Sequence, residues 1–257
     1  FVLEISTYET KRASEIAKSE FRGKDIFNLT DQMSLTIRRD LGIPEQYIRD
    51  EKNLPVSEMV TASVQALESY IDGANALVFE QNWDKSLKKF EESVTEDPTF
   101  AYAYYEIQKH ALRMNQREKR EQAFRSLMQH LYKLPEWFQY LVKSEYYAFR
   151  EDKGKQIAVL KMMGELSPND TASHMLLTDI YSKGNQLDEA IVEAKRVFEI
   201  DPGLKDAFLK IGSLYEKKGE FKEALKYYKK YAAQFPGEVK SFTVIGDLYR
   251  TMGDYER

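Results

Sequence analysis

Apolar and small residues recur at a constant offset through the second half of the chain. Ala190 returns as Ala224, Tyr181 as Tyr215 and Pro202 as Pro236, each 34 residues on. The pattern then starts again, with Gly212 returning as Gly246, Tyr215 as Tyr249 and Gly219 as Gly253. Within one period, Phe208, Gly212 and Tyr215 stand four and three residues apart, which puts them on one helical face. A second face follows at Ala224, Tyr228 and Tyr231. Lys218-Gly219 interrupts the first helix and Pro236-Gly237 ends the second, so each period predicts two antiparallel helices. Gly212 and Ala224 carry little side chain, which lets the two backbones approach closely.

This period and its alternation of small and large residues resemble the tetratricopeptide repeat. The resemblance implies a mainly α fold: a right-handed superhelix (α-solenoid) of helix hairpins, whose first helices line a concave groove for protein segments. The proline after each second helix serves as a ruler. Pro98, Pro135, Pro168, Pro202 and Pro236 are separated by 37, 33, 34 and 34 residues. Residues 63–257 then hold five helix pairs and a final single helix from Val239 to Met252. The second pair has three extra residues, which the sequence places in the charged interhelix stretch Asn115 to Glu121. The third, Trp137 to Pro168, is one residue short, with Ser144 at the small site.

The pattern changes in residues 1–42. Phe1, Leu3, Ile5 and Thr7 alternate with Val2, Glu4 and Ser6, which predicts a strand. A turn at Thr10 to Arg12 and a second strand from Ser14 to Phe21 complete a β-hairpin. Ile26, Leu29, Met33 and Ile37 then recur at helical spacing, ending near Leu41-Gly42. One hairpin and one helix bury too little to stand alone. The order strand, strand, helix resembles the end of the TolB-like α/β module that precedes tetratricopeptide repeats in bacterial signalling proteins. That resemblance implies a sequence truncated upstream, and Phe1, which is not an initiator methionine, agrees with a piece of a longer chain. Residues 43–62, with Pro44 and Pro55, read as an extended linker docked along the first helices.

Composition narrows the function by exclusion. Among 257 residues, 38 basic and 42 acidic side chains leave a net charge of -4, so no overall attraction draws the chain to nucleic acid or to an anionic membrane. No cysteine is present, which removes disulfides and thiolate metal sites and leaves bacterial cytoplasm and periplasm equally open. No apolar run reaches the length of about 18 residues that a membrane helix needs. His110, His130 and His174 lie in different units without a second ligand at metal spacing, and read as helix-surface or interhelix residues. The sequence therefore nominates no catalytic, metal or cofactor-binding residue, and no cofactor. The lysines from Lys217 to Lys230 alternate with Glu220 and Glu223 and read as a solvated outer face.

The groove carries the functional expectation. Stepping along the first helices beside the core positions gives Tyr102, Tyr105, Lys109 and Leu112, then Phe138, Leu141, Glu145 and Ala148. Met175, Asp179 and Ser182 follow, and then Leu209, Ser213 and Glu216. Aromatic residues in the middle suit an extended or helical protein segment. Ile71, Tyr105 and Leu141 stand where clamps for acidic tails carry Lys, Asn or Arg, so the groove reads as mixed and apolar. The expectation is a non-catalytic scaffold for a protein or peptide partner. The alternative is the sensor or regulatory part of a larger bacterial signalling protein, a cyclase, kinase or winged-helix regulator. A homodimer through the N-terminal strand edge or the last helix would cover surfaces the pattern leaves open.

Overall fold

The structure, a computed structural model, describes residues 2–9, 14–42 and 55–253. The expected turn at Thr10 to Arg12 and most of the expected linker lie outside them. Two compact units divide the chain, residues 1–139 and 140–257.

In the first unit, β1 (Val2–Glu9) pairs antiparallel with β2 (Ser14–Arg22), with Val2 opposite Arg22 and a register shift between Thr7 and Tyr8. The alternation read in the sequence has its physical counterpart: Leu3, Ile5, Ala17 and Phe21 are half-buried, while Val2, Glu4, Lys18 and Glu20 face solvent. Helix α1 (Ile26–Asp40) packs on both strands and buries Phe27 and Leu29. Asp25 caps it by accepting from the N–H groups of Phe27 and Asn28 at 3.0 and 3.3 Å. Within the expected linker, its described end is not extended, as the prolines suggested, but forms a single helical turn, α2 (Val56–Met59). Pro55 presets that turn, and Asp31 of α1 accepts from the N–H of Val56 at 2.9 Å.

Two helix pairs follow: α3 (Val64–Val78) with α4 (Trp83–Glu96), and α5 (Ala101–Arg113) with α6 (Arg117–Gln129). Tyr70 of α3 sits between Phe90 and Phe100, with ring centroids 5.2 and 5.1 Å away. Burial pushes its hydroxyl pKa up to about 12, so it stays a neutral core group.

The three extra residues of the second pair are not where the sequence put them. The loop between α5 and α6, residues 114–116, is no longer than its counterpart at 184–186. The extra length is a 3-10 turn, Leu131–Lys133, after α6. The small-residue pattern misled because Arg120, not Ala123, occupies the position of Ala224. Its Nε donates to the buried Gln108 at 3.3 Å, and its guanidinium lies 5.2 Å from the Phe124 ring centroid. A polar pair thus stands where the later repeat has Gly212 and Ala224.

Helix α7 (Glu136–Phe149) spans the division between the units. In the second unit α8 (Lys153–Leu166), α9 (Thr171–Lys183), α10 (Leu187–Ile200), α11 (Lys205–Lys218), α12 (Phe221–Gln234) and α13 (Val239–Thr251) each pack on the next. A continuous core runs through them from Leu160 and Met163 to Tyr227, Tyr228 and Leu248. Each fully buried Leu or Phe here contributes about 2–3 kcal/mol of transfer free energy.

A second periodicity marks the hairpins. Left-handed backbone occurs at Gln81, Asn115, Glu151, Asn185, Gly219 and Gly253, after the first helix of each pair and after α13. The chain turns there, and the next N–H reaches back to a carbonyl inside the helix just ended, as from Gln116 to Ala111, Asp152 to Tyr147 and Glu220 to Tyr215.

Candidate functional site

The first helices of the pairs place the expected groove residues, and each unit builds its own surface. In the first unit Tyr102 and Tyr105 of α5 are half-buried and meet Phe138, with centroids 5.6 and 4.7 Å apart, the latter edge to face. Phe138 is only 8% exposed, so it forms the floor of this cluster, while Trp137 stacks on it at 5.2 Å and remains 54% exposed. Lys109 lies over the Tyr105 ring at 5.3 Å and pairs with Glu106 at 3.1 Å. Burial raises the pKa of the Tyr102 hydroxyl. Leu112, further along α5, and Ile71, on α3, are exposed. The surface is aromatic and aliphatic, with one cation set over a ring.

In the second unit Met175 and Asp179 of α9 face α11 across a pocket of about 210 Å³. Thr178 joins them, Ala194 and Val197 of α10 line it, and Leu204, Asp206, Ala207 and Lys210 close the far side. Lys210 pairs with Asp179 across the opening. Of the α11 residues expected in the groove, Leu209 packs on the core, the Ser213 hydroxyl donates to the Lys210 carbonyl at 2.9 Å, and Glu216 accepts from the buried Tyr228 hydroxyl at 2.9 Å. Leu141 and Glu145 of α7 are half-buried. Ala148 edges a separate, shallower concavity with Gln156, Ile180 and Lys183, and the Ser182 carbonyl accepts from Lys217 at 2.7 Å.

The sequence reading stepped along one face of every first helix, but a pocket between two neighbouring helices takes one wall from each of two different faces. Asp206, Ala207 and Lys210 were missed for that reason. The available signal was charge: an acid on one helix and a lysine on the next, Asp179 and Lys210.

Elsewhere polar groups are committed to structure. His110 is fully buried, with Nδ1 2.8 Å from the Glu106 carbonyl and Nε2 3.0 Å from the Ser86 hydroxyl. His174 bridges α9 to Glu193 of α10 at 2.7 Å. Burial, with Lys133 nearby, lowers the pKa of His130. Among the described residues no group of three or more His, Asp and Glu side chains is placed to hold a metal ion. No described helix is long and apolar enough to cross a membrane.

Residues 206–237, which span α11, its turn and α12, match the tetratricopeptide repeat family model. That stretch is a tetratricopeptide repeat. The whole fold is of the same type. It is similar to the type IV pilus biogenesis factor PilW, at 18% identity and a TM-score of 0.61, over 87% of this chain and 100% of the other. It is also similar to MamA from Desulfovibrio magneticus RS-1, at 14% identity and 0.57, over 69% and 98% of the two chains. The thermophilic tetratricopeptide protein TTC0263 of Thermus thermophilus matches at 19% identity and 0.51, over 72% and 99%. No curated protein matches the sequence closely enough to count as a relative. In tetratricopeptide terms, the aromatic cluster lies on first helices, while the Met175 pocket takes walls from the first helices α9 and α11 and from the second helix α10.

Proposed function

We propose that this protein is a non-catalytic interaction scaffold that binds a peptide or protein segment on the face lined by the first helices of its pairs. The carrying observation is the pocket between α9 and α11: apolar floor and walls from Met175, Val197, Leu204 and Ala207, under a rim of Asp179, Asp206 and Lys210. Such a site takes an aliphatic side chain and reads the charge beside it. The exposed Trp137 and the Tyr102–Tyr105 pair offer large contact areas with few rotatable bonds, which suits recognition in the first unit. The tetratricopeptide fold, shared with PilW and MamA, supports the reading.

Association with a partner copurified from the native host, compared between the unaltered protein and Met175→Glu, tests it. A charge in the pocket should abolish association while the melting temperature stays the same. Unchanged association would refute the pocket's role.

A second reading is that the chain is the regulatory part of a larger signalling protein. It is favoured by the strand, strand, helix order of residues 2–40, the order in which a TolB-like module ends. The polypeptide made from the native gene, sized by mass spectrometry, tests it: a cyclase, kinase or winged-helix domain joined upstream supports it, and its absence refutes it.

A further inference from the structure

The pocket between α9 and α11 has a rim whose charges do not balance. Asp179 is paired with Lys210 across the opening. Asp206, in the first turn of α11, is exposed, and among the described residues its side chain makes no hydrogen bond or ion pair. The lysine beside it in sequence, Lys205, is paired with Glu238 at the start of α13. Both of those cations are thus committed elsewhere. One carboxylate at the mouth of an apolar pocket is left without a cation in direct contact.

The repeat shows that helix packing does not require this set of charges. Thirty-four residues on, at the junction of α11 with α13, the places of Met175, Asp179, Asp206 and Lys210 carry Leu209, Ser213, Lys240 and Val244. The apolar position is kept, while the acid at the mouth becomes a lysine and the ion pair disappears. An aliphatic side chain entering the pocket is buried among Met175, Val197, Leu204 and Ala207, and the residue next to it then stands at the rim beside Asp206. We propose that the pocket selects a polypeptide segment in which an aliphatic residue has Lys or Arg within two positions of it, the aliphatic side chain filling the pocket and the cation pairing with Asp206. This selectivity rests on the scaffold reading, in which the first helices bind a polypeptide, and adds the sign of the charge that is read. A segment with Asp or Glu at that place meets the uncompensated carboxylate and is rejected.

The experiment is selection of a displayed random-sequence peptide library on the immobilised 257-residue chain and, in parallel, on Met175→Glu. Peptides enriched on the unaltered chain and lost on Met175→Glu are expected to join an aliphatic residue to Lys or Arg. For one such peptide, followed by fluorescence anisotropy, Asp206→Asn should weaken binding about threefold to tenfold, and so should Gln in place of the peptide's Lys or Arg. The two changes together should cost no more than either alone, because they remove one shared contact. Asp247→Asn, which removes the same charge from the exposed surface of α13, should leave binding unchanged, so net charge does not imitate the effect. Peptides that depend on Met175 but show no basic preference, or that are indifferent to Asp206→Asn, overturn this inference and leave the scaffold reading standing. An absence of any peptide that depends on Met175 overturns both.

Discussion

The ring of Tyr228 lies so close to Gly212 that an added β-carbon would overlap it, while a β-carbon on the matching glycine one repeat later, Gly246, would meet no described atom within 4 Å. Two glycines of identical sequence role therefore have opposite physical meanings. Gly212→Ala should destabilise the second unit by about 1–3 kcal/mol through overpacking. Gly246→Ala should stabilise α13 by up to about 1 kcal/mol, because only the helix-propensity term remains. Urea unfolding of the two variants in parallel checks the sign reversal.

The left-handed turn after each first helix yields a second prediction. Glu151 adopts φ 59°, a conformation costly for a residue with a β-carbon, whereas Gly219 adopts φ 83° at the matching place. Glu151→Gly should raise stability by about 0.5–1 kcal/mol, and Gly219→Ala should lower it by about 1 kcal/mol. Thermal melts followed by circular dichroism suffice.

Asp97 links stability to acid. Burial raises its pKa, but the Thr61 hydroxyl at 2.5 Å, the Thr99 hydroxyl and N–H at 2.7 and 2.9 Å and the charge of Lys133 outweigh it, so the pKa is lowered overall. The folded state therefore binds this proton less readily than the unfolded chain does. The stabilisation is full above the ordinary carboxyl pKa of about 4 and is lost as pH falls through the lower folded value. Asp97→Asn should melt earlier than the unaltered protein near neutrality, and the difference should shrink in acid. A gap that widens below about pH 4 would contradict this assignment.

Lys210 separates fold from recognition. Its ion pair with Asp179 is exposed and should contribute less than about 1 kcal/mol to stability. Lys210→Glu should leave the melting temperature nearly unchanged, yet it gathers three acids at the pocket rim and should shift preference towards cationic segments. Binding of matched acidic and basic peptides to the two forms measures the shift.

Most of the fold was legible because it is periodic. The offset of Pro202 to Pro236 and the face Phe208, Gly212, Tyr215 have direct counterparts in α11 and α12. Errors arose where a repeat meets the same packing demand with different chemistry. Gln108 and Arg120 replace a pair of small residues with a hydrogen bond, which shifted the apparent insertion away from the 3-10 turn at Leu131–Lys133. Glycine marked only two of the left-handed turns, because Gln81, Asn115, Glu151 and Asn185 bear the others. Most of the pocket was invisible because Asp206 and Lys210 belong to a different helical face from Met175 and Asp179, and Ala194 and Val197 to a second helix.

Site-resolved photo-crosslinking in the native host tests the central claim most directly. A photoreactive residue at Met175 or Leu112, on first helices, is compared with one at Val192 or Lys229, on second helices. The account predicts adducts with a partner segment at the first-helix positions, changed in yield by Lys210→Glu for Met175, and none at the second-helix positions. Adducts confined to Val192 and Lys229, or equal at all four, would contradict it.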